Sequence, residues 1–180
     1  PMPRGGGLLT PSVLFARLRP FRRVLNACTH NDRVGFAVSD PYLVSGAPVH
    51  ATPPSPTEEQ LDHAVRRLWR EHAVGAISFS LPVRLGANDG AQVVQERDQL
   101  AETILRSNPA YGPPLAAALE DDVPLDALKQ MVREEPEVWE HVAEHVLAGE
   151  LGGDRADLHA AAVLTHHLYT HSEGWRNTFG

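Results

Sequence analysis

The chain has 180 residues, 42% of them hydrophobic, and a net charge of −7 at neutral pH. A chain of this length buries one sizeable core and not two, so the composition predicts one compact domain with tails. The single cysteine, Cys28, excludes an internal disulfide and argues against a small disulfide-stapled secreted scaffold, and no apolar run reaches the roughly 18 residues that cross a bilayer.

The beginning of the chain is basic and the remainder is acidic. Residues 1–39 carry six arginines and one aspartate, whereas residues 40–180 carry ten basic and twenty-two acidic residues. An arginine-bearing start without acidic residues is typical of a mitochondrial transit peptide. The predicted location is therefore the mitochondrion, in the matrix or on the matrix side of the inner membrane, with the cytoplasm as the alternative.

Residues 1–56 are predicted to form an extended arm. Residues 34–38 alternate like a short strand, but the prolines that follow cannot sustain a helix or an inner strand. The arm's arginines, with aromatic residues between them, are expected to bind a partner through Phe15, Arg17, Arg19, Phe21, Arg22 and Arg23. An acidic body repels nucleic acid, so the expected partner is a protein groove or anionic lipid at a membrane surface, and nucleic acid is an unlikely partner.

The first firm element begins after Thr57. The sequence Thr-Glu-Glu-Gln is a capping box, and the apolar residues that follow recur at helical spacing as far as Gly75. Residues 77–85 alternate between apolar and polar, which predicts a strand, and Pro82 within it predicts an edge position.

The rest of the sequence predicts helices separated by proline and glycine breaks, at about 90–106, 124–133, 136–148 and 155–170. The predicted fold class is mostly α: a small helical body of about five helices with one or two short strands and the long proline-rich arm. Residues 57–180 are the predicted helical domain.

Histidines are the most conspicuous candidate ligands. Two pairs at four-residue spacing fall in the last two predicted helices, at His141, His145, His167 and His171. Two such pairs on neighbouring helices could form a four-histidine metal site. However, the chain has no Glu-x-x-His motif, and Val142 and Val146 give the first of these helices its core face. We therefore expect no bound metal and keep the four-histidine site as an alternative.

No motif for nucleophilic or nucleotide chemistry is present. The chain has no Gly-x-Ser-x-Gly, Cys28 falls in the arm, and the loop at 86–90 lacks the lysine of a phosphate-binding loop. We expect no cofactor and no enzymatic activity.

These observations predict a non-catalytic accessory subunit of a large organellar complex, such as a mitochondrial respiratory or ATP-synthase complex, that docks through its arm. Two alternatives remain open. One is a helical metal-dependent enzyme or metal carrier that uses the two histidine pairs, and the other is a ribosome-associated or RNA-associated protein that uses the arm.

Overall fold

The computed structural model of the chain describes residues 8–86, 90–107 and 115–171. Five strands form one mixed sheet: β1 (Arg23–His30), β2 (Arg33–Ser39), β3 (Gly46–Ala51), β4 (Val74–Ser80) and β5 (Leu115–Ala118). Their order across the sheet is β3-β2-β1-β4-β5. β2 is antiparallel to β1 and β3, whereas β4 is parallel to β1 and β5.

Helices cover both faces of the sheet. They are α1 (Pro11–Arg17), α2 (Glu58–Glu71), α3 (Gly90–Arg106), α4 (Leu125–Glu134), α5 (Ala143–Leu147) and α6 (Ala156–His171), with a 3-10 turn at Glu150–Gly152. One apolar cluster joins the sheet to α2 and α3, and a second joins its other face to α1, α4, α5 and α6. The domain is therefore an α/β/α sandwich with β1 in the middle of its sheet.

The strand β1 has helices on both sides, and its sequence reflects this. Every residue from Val24 to Cys28 is buried, with Leu25 and Ala27 on the face of α2 and α3 and Val24 and Cys28 on the face of α6. A strand covered on both faces lacks the apolar and polar alternation that marks a half-exposed strand. β1 therefore carries no period-two pattern.

The turn from β1 to β2 is made by two residues with positive φ, Asn31 at 49° and Asp32 at 59°. Positive φ at both central residues is the geometry of the tight hairpin turn that suits twisted antiparallel strands, and Asn and Asp tolerate it better than most side chains. The turn thus sets the register in which His30 faces Arg33.

The predicted mostly-α fold is wrong, because the five-stranded sheet is the centre of the molecule. The described part of the predicted arm, residues 8–56, contributes α1 and three of the five strands. The boundary between residues 56 and 57 does not separate an arm from a helical domain, because β1 pairs with β4 across it. The composition of residues 1–56 favoured an arm because its many prolines and arginines suggested an exposed, extended segment.

Several individual elements are confirmed. Thr57 Oγ1 accepts a hydrogen bond from the Gln60 amide at 3.1 Å, and Gln60 Oε1 accepts one from the Thr57 amide at 2.9 Å, which is the predicted capping box. The helices predicted at 90–106, 124–133 and 155–170 correspond to α3, α4 and α6.

Two predicted elements differ from the structure. The strand predicted at 77–85 as an edge strand is the inner strand β4, which ends before Pro82. The helix predicted at 136–148 is reduced to α5, which follows a run of turns.

Residues 87–89, in the loop considered as a nucleotide site, lie outside the described residues. Among the described helices, none combines the length and apolar character needed to span a bilayer.

Gly35 sits where α6 touches the sheet. A Cβ atom at Gly35 would lie 2.0 Å from the backbone carbon and oxygen of Ala156. We expect Gly35→Ala to lower the free energy of unfolding by about 3 kcal/mol or more, at the upper end of the usual cost of overpacking, because a backbone has to move. Gly86→Ala is the matched control, since a Cβ there meets nothing within 4 Å. Urea denaturation measures both, and equal stability of the two variants would contradict the close contact.

Candidate functional site

A buried row of polar side chains lies on the sheet beneath α6. Asn26 and Cys28 belong to β1, and Ser78 and Ser80 pair with them on β4. All four side chains are buried. A polar row in the middle of a sheet has to find its hydrogen-bond partners inside the protein.

The row satisfies its own hydrogen bonds. Ser78 Oγ donates to Asn26 Oδ1 at 2.9 Å, and Asn26 Nδ2 donates to Ser80 Oγ at 2.9 Å. The same Nδ2 donates to the carbonyl oxygen of Ala160 on α6, also at 2.9 Å. The Asn26 amide thus connects β1, β4 and α6, and its hydrogen-bond partners all lie within the protein.

Cys28 lies in this row. Burial raises the pKa of its thiol to about 12, against the smaller opposite effect of a hydrogen bond with Ser80. At neutral pH the side chain is therefore a thiol and not a thiolate, and a thiol is a poor nucleophile. Cys28 belongs to the core of the central strand, not to an arm.

Two stacked imidazoles lie where β1 ends. The rings of His30 and His159 are 3.7 Å apart between centroids, with an angle of 27° between their planes. His159 Nδ1 accepts a hydrogen bond from the Val83 amide at 3.0 Å, so the ring proton is on Nε2, which donates to the Leu151 carbonyl at 2.7 Å. Burial, together with the neighbouring His30, lowers the pKa of His159 to about 4, and burial lowers the pKa of His30 as well, so the stacked pair is neutral at pH 7.

Two carboxylates border the stacked histidines. Asp157, in the first turn of α6, accepts two hydrogen bonds from the Arg155 guanidinium at 3.0 and 3.1 Å. Asp154 lies 3.7 Å from Arg33, and its charge partly opposes the lowering of the His30 pKa by burial. The charge of Asp157 has the same effect on the pKa of His159. This border is the carboxyl end of the parallel strands β1 and β4, the place where open α/β sheets bind ligands.

The residues predicted to bind a partner lie in two different environments. Phe15 is 1% exposed and packs in the core, with its ring stacked 6.3 Å from that of His167, so it cannot contact a partner. Arg23 is the half-buried first residue of β1. The other four, Arg17, Arg19, Phe21 and Arg22, are exposed.

An exposed tyrosine completes this surface. Phe21 is 68% exposed and Tyr42 is 74% exposed, and their rings meet edge to face at 6.1 Å. We call Arg17, Arg19, Phe21, Arg22 and Tyr42 the basic-aromatic patch. Tyr42 carries no sequence signal of this contact, because it lies in the turn after β2 and reaches Phe21 only through the pairing of β1 with β2.

The charges of the basic-aromatic patch are available to a partner. Within the described residues, none of its three arginines forms an ion pair. Asp40, two residues before Tyr42, accepts hydrogen bonds from the backbone amides of Tyr42, Val44 and Ser45 at 3.0, 2.6 and 2.9 Å. The Asp40 carboxylate is thus engaged in forming the turn that presents Tyr42.

The two histidine pairs do not meet. His141 faces Glu140 at 3.4 Å and His145 pairs with Glu150, whereas His167 and His171 lie beside Asp121. The predicted four-histidine site is therefore not formed. The absence of this site does not test the expectation of no bound metal.

No protein-family model matches the chain, and no curated protein matches it. Three solved structures are similar over most of its length. RuvC of T. thermophilus in complex with a Holliday junction substrate is 15% identical, with 85% of this chain and 97% of that chain covered and a TM-score of 0.47. A second structure of Thermus thermophilus RuvC is 16% identical, with 83% and 96% covered and a TM-score of 0.44. The yeast mitochondrial Holliday junction resolvase Ydc2 is 11% identical, with 93% and 88% covered and a TM-score of 0.44.

The prediction of a non-catalytic accessory subunit of a respiratory or ATP-synthase complex is wrong. The arm expected to dock is not an arm, because its described part forms α1 and three strands of the central sheet. The predictions that the chain is not an enzyme and that nucleic acid is an unlikely partner do not stand either, because they were made for a helical body with a docking arm and the described fold is an α/β sandwich. The two alternatives are not supported either, because the histidine pairs are apart and no arm extends from the described fold.

The buried histidine predicts acid sensitivity. His159 has an unfolded pKa near 6.5 and a folded pKa of about 4, so the unfolded state binds more protons between these values. Stability is then full above pH 6.5 and falls by about 3 kcal/mol as the pH drops to 4, at roughly 1.4 kcal/mol per unit. Burial lowers the pKa of His30 as well, which adds in the same direction.

Urea midpoints from pH 7.5 to pH 4 measure this loss. We expect His159→Gln to be less stable at neutral pH but flatter with pH. The exposed His63 on α2 provides the control, since His63→Gln leaves the slope unchanged. A His159→Gln slope equal to that of the wild type would show that another group causes the acid sensitivity.

Proposed function

We propose that this protein binds branched DNA and acts on it as a resolvase-type nuclease. The substrate class is suggested by the similar structures, one of which is RuvC in complex with a Holliday junction substrate. The observation from this chain that carries the proposal is the basic-aromatic patch, which combines two exposed rings in contact with each other and three exposed arginines that form no ion pair within the described residues.

The patch has the two features of a surface that binds nucleic acid. Arginines bind phosphates through their planar forks, and exposed aromatic rings stack on unpaired bases. The whole chain has a net charge of −7, so a local basic surface is what allows a polyanion to approach. Base stacking is interrupted at a branch point, and the base faces exposed there suit the Phe21 and Tyr42 rings.

The patch and the carboxylates lie at opposite ends of β1. Phe21 and Arg22 immediately precede the strand, and the strand itself, from Arg23 to His30, is about 23 Å long at the rise of an extended strand. Because helices cover both faces of β1, a nucleic acid that contacts both features has to pass over the outer surface of the domain for the length of the strand. The patch would hold the DNA while the carboxyl end of β1 faces the bond to be cut.

The carboxyl end offers limited but suitable groups for phosphodiester cleavage. Mg²⁺ keeps several waters in protein sites and is bound through one or two carboxylates together with substrate phosphates. Asp154 is 75% exposed, and Asp157 lies next to it on the first turn of α6. When bound there, such an ion would neutralise phosphate charge. The buried row adds no carboxylate, since it supplies only an amide, a thiol and two hydroxyls.

A mitochondrial location remains part of the proposal. One similar structure is that of a yeast mitochondrial resolvase. In the segment whose composition suggested a leader, residues 1–30, the described residues 8–30 contain α1 and β1, so the location has to be measured directly by imaging or fractionation.

Binding tests the patch. We expect the triple variant Arg17→Ala, Arg19→Ala, Arg22→Ala to bind a four-way DNA junction more weakly. The slope of log affinity against log salt should fall by up to about 2.7, because each lost phosphate contact contributes about 0.9. We expect Phe21→Ala and Tyr42→Ala each to weaken binding by roughly 5-fold to 150-fold through lost stacking. Fluorescence anisotropy over a salt series measures both effects.

Arg67→Ala provides the control, because Arg67 is an arginine of α2 already paired with Glu71 at 3.3 Å. Its junction affinity should match that of the wild type. If the triple variant also binds like the wild type, the patch is not the DNA-binding surface.

Cleavage tests the other end of β1. We expect the wild type to cut a four-way junction in the presence of Mg²⁺, and Asp157→Asn to bind the junction normally but cut it at least 10-fold more slowly. Asp126→Asn, in the first turn of α4, is a control carboxylate at a helix start. A junction that stays intact at saturating protein and Mg²⁺ would contradict the proposed nuclease activity while leaving the binding result in place.

A further inference from the structure

Three side chains from two segments converge away from the carboxyl end of β1. Asp121 lies between β5 and α4, and His167 and His171 are one turn apart on α6. Their ligand atoms all lie within 4.8 Å of one another. Asp121 Oδ1 is 3.0 Å from His167 Nδ1 and 3.4 Å from His171 Nε2.

We propose that Asp121, His167 and His171 form a binding site for a zinc-type divalent cation. Two histidines at i and i+4 on one helix face are a recurring half-site for zinc. In a tetrahedral zinc site with bonds of about 2.0–2.1 Å, neighbouring ligand atoms lie about 3.3–3.4 Å apart. The observed distances of 3.0 and 3.4 Å are close to that edge length, so a small expansion admits the ion.

The surroundings hold the three ligands in place. His166 Nδ1 lies 2.8 Å from Asp121 Oδ2, the oxygen that does not face His167, so the carboxylate is fixed at both ends. The Phe15 ring stacks on His167 with an angle of 22° between the planes. Such outer contacts orient ligands and usually affect metal affinity strongly.

Asp121 is also in the charge state that a metal requires. Burial alone would raise its pKa, but hydrogen bonds and the charges of His166 and His167 outweigh burial and lower it well below its usual range. The carboxylate is therefore an anion throughout the neutral range, and the two imidazoles face it.

The set of donor atoms selects the kind of metal. Two imidazoles and one carboxylate suit zinc and neighbouring transition metals, whereas Mg²⁺ and Ca²⁺ prefer oxygen ligands alone. His171 is 52% exposed, so the site opens to solvent and the fourth position is available to water. This site shares no residue with the proposed nuclease site, and the inference does not rest on the proposed function.

Zinc binding to the tag-free full chain is the test. We expect one equivalent of Zn²⁺ in a titration competed by a chromophoric chelator, a rise in Tm with added ZnCl₂, and the absorption bands of a tetrahedral site when Co²⁺ replaces Zn²⁺. His171→Ala should fold normally, because its side chain is exposed, and should lose at least 10-fold in zinc affinity together with the Co²⁺ bands.

Two further variants make the result decisive. His166→Ala should weaken zinc binding by roughly 10-fold to 100-fold, as expected for a residue that positions a ligand. His141→Ala, which removes an exposed histidine of the other pair, should leave the affinity unchanged. Absence of zinc binding by the wild type, or unaltered binding by His171→Ala, would show that the cluster is only an ion-pair network.

Discussion

The close contact between α6 and β2 is the constraint on which the rest of the structure depends. At Gly35 the absence of a Cβ lets the backbone of Ala156 lie directly on the sheet. On the neighbouring strand β3, Gly46 approaches Leu164 of α6, and its amide donates to Thr165 Oγ1 at 2.9 Å. Larger residues at these two strand positions would push α6 away from the sheet, and the Ala160 carbonyl oxygen that accepts from Asn26 would be out of reach.

Helix α6 also connects the regions where function is proposed. Its first turns carry Asp157 and His159 at the carboxyl end of β1, and its last turns carry His167 and His171 beside Asp121. The helix is buried on all sides from its first residue to Thr165, so these side chains are held by packing and not by surface contacts alone. Because the helix is rigidly seated, its polar groups are displayed at fixed positions, which is the condition for binding DNA phosphates at one end and a metal ion at the other.

Local signals in the sequence predicted local elements well, and tertiary pairings poorly. The capping box at Thr57 uses atoms three residues apart, so the sequence contains it completely. β1 is covered on both faces and shows no alternation, and the Asn31–Asp32 turn was the signal that could have revealed the hairpin. Phe15 and Phe21 both have arginines nearby in the sequence, but Phe15 belongs to α1 and is buried in the core, whereas Phe21 is exposed. The meeting of Asp121 with His167 depends on the whole fold, and no spacing in the sequence indicates it.

The central claim is that the N-terminal segment forms the core of the domain and is sealed beneath α6. Labelling of Cys28 with a thiol reagent under native conditions tests it most directly, because this side chain lies on the middle strand and is the only thiol in the chain. We expect labelling at neutral pH only at the rate of global unfolding, with the rate increasing in urea in step with the loss of folded protein. Rapid stoichiometric labelling of the folded protein would contradict the buried position of β1 and, with it, the arrangement of both proposed sites.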